Sequence, residues 1–287
     1  MHPLAMLSPT LILNTLNKRQ SEMTKLDIHQ IPVMRDNYVY LLHEADADLT
    51  AALDPAVHEP VLEALKQKGW TLTHILNTHH HNDHVGGNLA LKEATGCTIV
   101  GAKIDNYRIP GIDIEVSDGE IFALGGAIAN VMEVPGHTKG HIVYWFDASD
   151  ALFCGDTMFA MGCGRLSEGT AEELWASLTK LMALPDETRI YCAHEYTQAN
   201  GAFALSVEPG NEALVNRMKE VNAKRAKGIS TVPSLLGEER STNPFLRPNS
   251  SEIQQTIGLS TQDNLSIFTE IRKRKDDFNA VNRQYFK

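Results

Sequence analysis

A run of six residues limits what this chain can fold into more than any other feature. Four of the side chains from His79 to His84, namely His79, His81, Asp83 and His84, are imidazoles or a carboxylate, the types that bind zinc and other first-row divalent ions. The run follows Leu72-Thr73-His74-Ile75-Leu76-Asn77, a short apolar segment that reads as a buried strand. It precedes Gly86-Gly87-Asn88-Leu89-Ala90-Leu91, which reads as a loop opening a helix. A solvated polar loop does not account for four donors placed directly after an apolar strand. A metal does, and a donor cluster at the C-terminal edge of a strand is where α/β folds put their sites.

The surrounding chain fits that expectation. Residues 26–42 read as a hairpin turning at Asp36-Asn37, with Tyr38-Val39-Tyr40-Leu41-Leu42 as its second strand. Thr50-Ala51-Ala52-Leu53 is a further strand, and Pro60 opens a helix with Val61, Leu62 and Leu65 on one face that Gly69 ends. After the His run, Thr98-Ile99-Val100 continues the alternation of strand and helix, so the first half is an α/β layered domain. Residues 112–134 are β-rich with turns at Gly119, Gly125 and Gly126. Ile142–Phe146, Ala151–Cys154 and Arg189–Cys192 are further strands. Thr170 and Glu173 form a capping box for a helix whose apolar face carries Leu174, Leu178 and Leu181. Beyond residue 198 the reading changes to helices, Asn211–Lys227 and Asn264–Phe278, separated by a proline-punctuated stretch (Pro233, Pro244, Pro248) in which no strand is expected. The expected organisation is an N-terminal extension over 1–22, an α/β domain over 23–198 and a smaller helical domain over 199–287.

Three more donors, His137, Asp156 and His194, each follow a predicted strand. If those strands run parallel, all seven donors meet at one edge. Seven donors without cysteine exceed one tetrahedral structural site, and two metals sharing a carboxylate fit the number better. Such a pair lowers the pKa of a bound water and polarises the bond under attack, which points to hydrolysis. His80 lies between two donors and faces the other way on an extended loop, so a change there is expected to be nearly silent. His141 and Asp54 are expected to orient donors or hold loops rather than ligate. His2, His29, His43, His58 and His74 read as ordinary histidines.

A formal net charge of −10 argues against non-specific nucleic-acid binding. Any anionic ligand must therefore meet a local basic patch, and Arg272 and Lys275, spaced i,i+3 on one helix face, offer one. Cys97, Cys154, Cys163 and Cys192 lack CxxC spacing, so free thiols and a reducing compartment, the cytoplasm, are expected. No apolar run suggests a membrane span. The first 22 residues lack a secretory signal's basic n-region, and Met23 is an alternative start.

His79-x-His81-x-Asp83-His84, with Gly136-His137-Thr138, Gly155-Asp156-Thr157 and Ala193-His194-Glu195-Tyr196, resembles the metallo-β-lactamase superfamily. Within it, Gly162-Cys163-Gly164-Arg165, Asn243-Pro244-Phe245 and Arg272-Lys273-Arg274-Lys275-Asp276-Asp277-Phe278 are similar to the hydroxyacylglutathione hydrolases, the glyoxalase II family. The resemblance implies an αββα sandwich followed by a smaller helical domain. It implies two divalent ions, zinc with iron or manganese as alternatives: His79, His81 and His137 hold one, Asp83, His84 and His194 the other, and Asp156 bridges them. Asp83 and Asp156 are the carboxylates it assigns to the chemistry. The implied reaction is attack by a metal-bound hydroxide on the thioester of S-D-lactoylglutathione, giving glutathione and D-lactate in methylglyoxal detoxification, by a monomer. Glutathione contacts map onto Arg165, Tyr196, Arg272 and Lys275. Ser167 departs from the family, which often has tyrosine there. The alternatives are a single-iron glutathione persulfide dioxygenase, using mainly His79, His137 and Asp156, and a non-catalytic metal-binding scaffold.

Overall fold

The computed structural model describes residues 24–259 and 263–282, so the N-terminal extension and Met23 lie outside the described residues. The first sheet has the order β1 (Asp27–Val33), β2 (Asn37–Glu44), β3 (Leu49–Leu53), β4 (Leu72–Leu76), β5 (Thr98–Ala102) and β6 (Ile114–Val116). The first three strands are antiparallel neighbours, and β3 through β6 are parallel. Parallel pairing needs crossovers. Helix α1 (Glu59–Lys68) supplies one, with proline in its first turn and Gly69 closing it in the left-handed conformation. Between β4 and β5 lie α2 (Asn82–Val85), a single turn, and α3 (Asn88–Thr95).

The second sheet is built from β7 (Ile121–Leu124), β8 (Ala127–Glu133), β9 (Ile142–Phe146) and β10 (Ala151–Gly155). A small hairpin, β11 (Met158–Phe159) with β12 (Gly162–Cys163), leads to helix α4 (Ala171–Leu181), and then β13 (Arg189–Cys192) joins the sheet. β8, β9 and β10 alternate in direction while β10 and β13 run parallel, so the C-terminal ends of β8, β10 and β13 share one edge.

β2 shows how one sequence divides two cores. It is buried along its length. Its alternate side chains Tyr38, Tyr40 and Leu42 face a core shared with Val131, Tyr144, Phe153 and the α4 residues Leu174 and Leu178, while Val39 and Leu41 join Val61, Leu65 and Leu91 of α1 and α3. Helices thus cover the outer faces and the sheets meet between them, the expected αββα sandwich. The capping box at Thr170 and Glu173 is present as expected.

Beyond β13 the chain is more structured than the sequence pattern suggests. Helix α5 (Thr197–Val207) crosses the expected boundary at residue 198, and α6 (Glu212–Arg225) follows. The proline-punctuated stretch holds β14 (Ser234–Leu235), paired antiparallel with β13, and helices α7 (Leu236–Thr242) and α8 (Ser251–Ile257). The expectation of no strand there is corrected: β14 extends the second sheet. Helix α9 (Asn264–Asn282) ends the described chain.

Candidate metal centre

The seven donors meet at the edge where β4, β8, β10 and β13 end. Two backbone links draw the sheets together there: Ile142 N–H donates to the Thr78 carbonyl at 2.9 Å, and Tyr38 N–H to the Ala193 carbonyl at 2.8 Å. Gly155, at φ 47°, lets the β10 end pass close to β4, since a Cβ there would lie 2.3 Å from Thr78 Oγ1. Asp83 and His84 do not sit on an extended loop; they occupy the turn α2, which aims both back at the strand ends.

The donors sort into two triads. The ligand atoms of His79, His81 and His137 lie within 4.8 Å of one another, as do those of Asp83, His84 and His194. Asp156 stands between them. Its Oδ1 is 3.5 Å from His84 Nε2 and 3.3 Å from His194 Nε2, and its Oδ2 is 3.4 Å from His137 Nε2. A third grouping brings Asp54 near His79 and His84. Asp54 is already engaged, accepting from Thr78 N–H at 2.8 Å, Thr78 Oγ1 at 2.6 Å and His84 Nδ1 at 3.0 Å, and so acts as a support.

Hydrogen bonds behind the imidazoles fix which nitrogen faces inward. His84 Nδ1 is held by Asp54, His194 Nδ1 donates to Asp36 at 2.9 Å, and His137 Nδ1 donates to the Arg165 carbonyl at 2.9 Å. Each ring then turns Nε2 to the centre, where a cation that displaces any proton there finds a lone pair. His84 Nε2 and Asp156 Oδ1 are buried without a hydrogen-bond partner, a costly arrangement for protein alone and the one a cation would satisfy. Charge tells the same story. Burial would raise the Asp156 carboxyl, but His194, His84 and His137 hold it well below the usual range. Burial would lower His194, but Asp156 and Asp36 push it up to about 10. In the other triad burial, then neighbouring imidazoles, push His79 well down and His81 to about 4. Imidazole nitrogens converging on an ionised carboxylate fit divalent metal ions, which compete with protons for them.

His141 takes the supporting role expected of it: Nε2 accepts from the Asp156 N–H at 3.1 Å, and the ring stacks on His79. His80 does face away, yet it is engaged, donating through Nδ1 to Asp105 Oδ2 at 2.9 Å, so the expectation of a silent position is revised. Two supports were hidden in the sequence. Asp36-Asn37 reads only as a hairpin turn, but Asp36 holds His194 and Asn37 Nδ2 donates to the Asp83 carboxylate at 3.2 Å.

One cavity of about 360 Å³ is lined by His81, Asp83, His137, Asp156 and His194 together with Arg165, Tyr196, Arg272 and Lys275. Tyr196 lies flat on His194, centroids 4.6 Å apart, and burial raises its hydroxyl, keeping it protonated. Arg272 and Lys275 are not a solvated helix end: they are 3% and 4% exposed. Arg272 donates to the Cys163 carbonyl and to Asp276, with its guanidinium over Phe245, yet its Nε has no partner. Lys275 donates to the Ala199 carbonyl and lies over Phe203 and Phe278. Burial, then Arg272, push its pKa down to about 7. Ser167 is exposed, its N–H donating to the His137 carbonyl, and it does not line the cavity.

Comparison with known proteins agrees with this geometry. Residues 41–194 match the metallo-beta-lactamase superfamily and residues 195–278 the hydroxyacylglutathione hydrolase C-terminus. A hydroxyacylglutathione hydrolase of Methylococcus capsulatus is 61% identical over 88% of this chain and 99% of its own. The chain belongs to the hydroxyacylglutathione hydrolase family. Another member, from Rhodospirillum rubrum, is 54% identical over 89% of this chain and all of its own. Among solved structures, ETHE1 from Myxococcus xanthus is similar with a TM-score of 0.59 at 26% identity, over 88% of this chain and 99% of that one. Like other hydroxyacylglutathione hydrolases, the chain is a metal-dependent hydrolase of the metallo-β-lactamase fold. Among the described residues no helix is long and apolar enough to cross a membrane, and all four cysteines are buried free thiols.

Proposed function

We propose that the chain hydrolyses the thioester of S-(2-hydroxyacyl)glutathione, S-D-lactoylglutathione foremost, to glutathione and the 2-hydroxy acid. The observation that carries this reading is that one cavity is lined both by metal-ligand side chains and by two buried basic side chains of α9. We further infer two divalent ions, zinc before iron or manganese, one on His79, His81 and His137 and one on Asp83, His84 and His194, with Asp156 between. The two oxygens of Asp156 facing different triads support the bridge. When bound, the ions supply a water of lowered pKa and polarise the thioester carbonyl. Asp54, Asp36 and His141 keep the donors and the Asp156 backbone in place. Arg272 and Lys275, with Arg165 and Tyr196 on the cavity wall, hold the anionic glutathione moiety. The leaving thiolate needs no proton donor, because a thiol ionises near about 8.5.

Donors confined to residues 79–194 and cations at 272–275 support a catalytic domain over 23–198 and a substrate-binding domain over 199–287. A cavity complete within one chain supports a monomer, and four free thiols support the cytoplasm. The single-iron dioxygenase alternative leaves the Asp83, His84 and His194 triad without a role, although that triad has its own supports in Asp54 and Asp36. Thiol release from S-D-lactoylglutathione by protein of measured metal content is the expected result. Oxygen uptake on glutathione persulfide without thioester turnover would establish the dioxygenase instead, and neither activity would leave a scaffold.

A further inference from the structure

We propose that Asp105, Arg108 and Glu168 form a clamp that sets the geometry of the His79, His81 and His137 triad and not of the other, making Arg108 a positioning residue for one ion. The inference rests on the two-ion reading above. None of the three side chains lines the cavity, so none is offered as a group that touches substrate.

The clamp joins four segments. Asp105 is fully buried. Its Oδ2 accepts from His80, in the loop carrying His79 and His81, and its Oδ1 accepts from Arg108 Nε at 3.1 Å and again from Arg108 Nη2. Arg108 reaches on through Nη1 and Nη2 to both oxygens of Glu168. Glu168 Oε2 in turn accepts from the Lys139 N–H at 2.9 Å, in the loop carrying His137. The Glu168 segment also cradles His137 directly: the Ser167 and Glu168 N–H groups donate to the His137 carbonyl at 3.2 and 3.3 Å, and the Arg165 carbonyl accepts from the ring. Packing agrees, since a Cβ on Gly140 would lie 2.2 Å from Asp105 Cγ, so the His137 loop rests on the Asp105 carboxylate.

A planar guanidinium bonded to carboxylates on two sides fixes distance and angle in a way a lysine cannot. The first triad draws its donors from the first sheet (His79, His81) and the second (His137), so the spacing between those loops decides whether three lone pairs converge. The second triad does not use the clamp: Asp54 holds His84, Asp36 holds His194, and Asn37 holds Asp83.

The test is equilibrium metal binding by competition with a chromophoric chelator, using Zn2+ alone and no thioester, with circular dichroism confirming the fold. Glu168→Gln keeps the side chain's shape but weakens its tie to Arg108, and Arg108→Met removes the tie. Both are expected to weaken one ion by about 10–100-fold and leave the other unchanged. Lys180→Met, which removes a surface pair with Asp118 and a hydrogen bond to the Glu133 carbonyl and touches no member of the clamp, should change neither. Asp36→Asn should weaken one ion, and combined with Glu168→Gln it should weaken both, because the two act on different triads. Unchanged affinity in folded Glu168→Gln and Arg108→Met overturns the clamp. Equal weakening of both ions by either, or a double variant that still keeps one tight ion, overturns its restriction to one triad. The wild-type stoichiometry tests the two-ion reading separately, since the clamp is judged on the ratio of variant to wild type.

Discussion

Lys275 is where the proposed function and stability pull against each other most plainly. Its ammonium is nearly enclosed, with one protein hydrogen bond and two aromatic faces, so the folded protein binds that proton less readily than the unfolded chain. With a folded pKa of about 7 against an ordinary lysine value of 10.5, wild-type stability rises with pH across that window, and the full penalty of the buried charge applies below it. Lys275→Met should therefore raise the melting temperature, more at pH 6 than at pH 9, as thermal melts at the two values will show. The same residue should cost function when removed. Arg272→Ala with Lys275→Ala is expected to raise KM for S-D-lactoylglutathione by tenfold or more with kcat much less affected, because charge on the distal ligand is felt equally in ground and transition states. Steady-state kinetics giving an unchanged KM would remove the pair from the glutathione site. At this scale the sequence is legible where chemistry is concentrated: His79 to His84 declares itself. Asp36, Asn37, Asp105 and Glu168 do not, because a lone carboxylate or amide in a turn looks the same whether it faces water or the back of an imidazole.

Elements were legible for a related reason. β4, β8, β10 and β13 each show a short apolar run that stops at a donor, a local pattern that needs no knowledge of partners. β14 has two residues and exists because β13 offers it an edge, with Arg189 opposite Leu235 and Ile190 opposite Ser234. Helix α5 hides differently: it is buried around much of its circumference, and Gly201, in a position that usually weakens a helix, admits Met218, whose Sδ would lie 2.0 Å from a Cβ there. The β11–β12 hairpin is likewise held from outside. Met161 sits at φ 53°, and its N–H donates to Glu239 at 2.8 Å, while Asn243 Nδ2 donates to the Phe159 and Gly162 carbonyls at 3.3 and 3.0 Å. Asn243→Ala strips partners from two buried carbonyls and should cost about 1–3 kcal/mol or more in denaturant unfolding. Because the hairpin runs on into Cys163 and Arg165 of the cavity wall, KM should rise as well. A variant as stable as wild type with unchanged KM would show that the hairpin holds its shape alone.

At the scale of the whole molecule, each triad takes donors from both sheets: His79 and His81 with His137, and Asp83 and His84 with His194. Asp156, from the second sheet, sits between them. On the proposed two-ion reading, bound ions would act as staples across one edge of the sandwich, an edge that by itself has an ionised carboxylate, imidazoles competing for protons and two unpartnered buried atoms. The opposite parts of the sandwich, such as the α1 and α3 layer packed on β2, depend on apolar contacts that no ion touches. Chelation should then loosen the molecule unevenly. An ion at one hundred times its Kd contributes about 2.7 kcal/mol to the folded state, and for a chain of this size each kcal/mol moves the melting temperature by about 2–4 °C. Removing one such ion should lower it by about 5–10 °C, and removing both by about twice that. Hydrogen exchange locates the change. The amides of Ile142 and Tyr38, whose bonds to Thr78 and Ala193 tie the sheets at the metal edge, should lose protection well before those of Leu41 or Ile75 in the centre of the first sheet. Uniform loss of protection, or none at the Ile142 and Tyr38 amides, would mean that the ions serve the chemistry without joining the sheets.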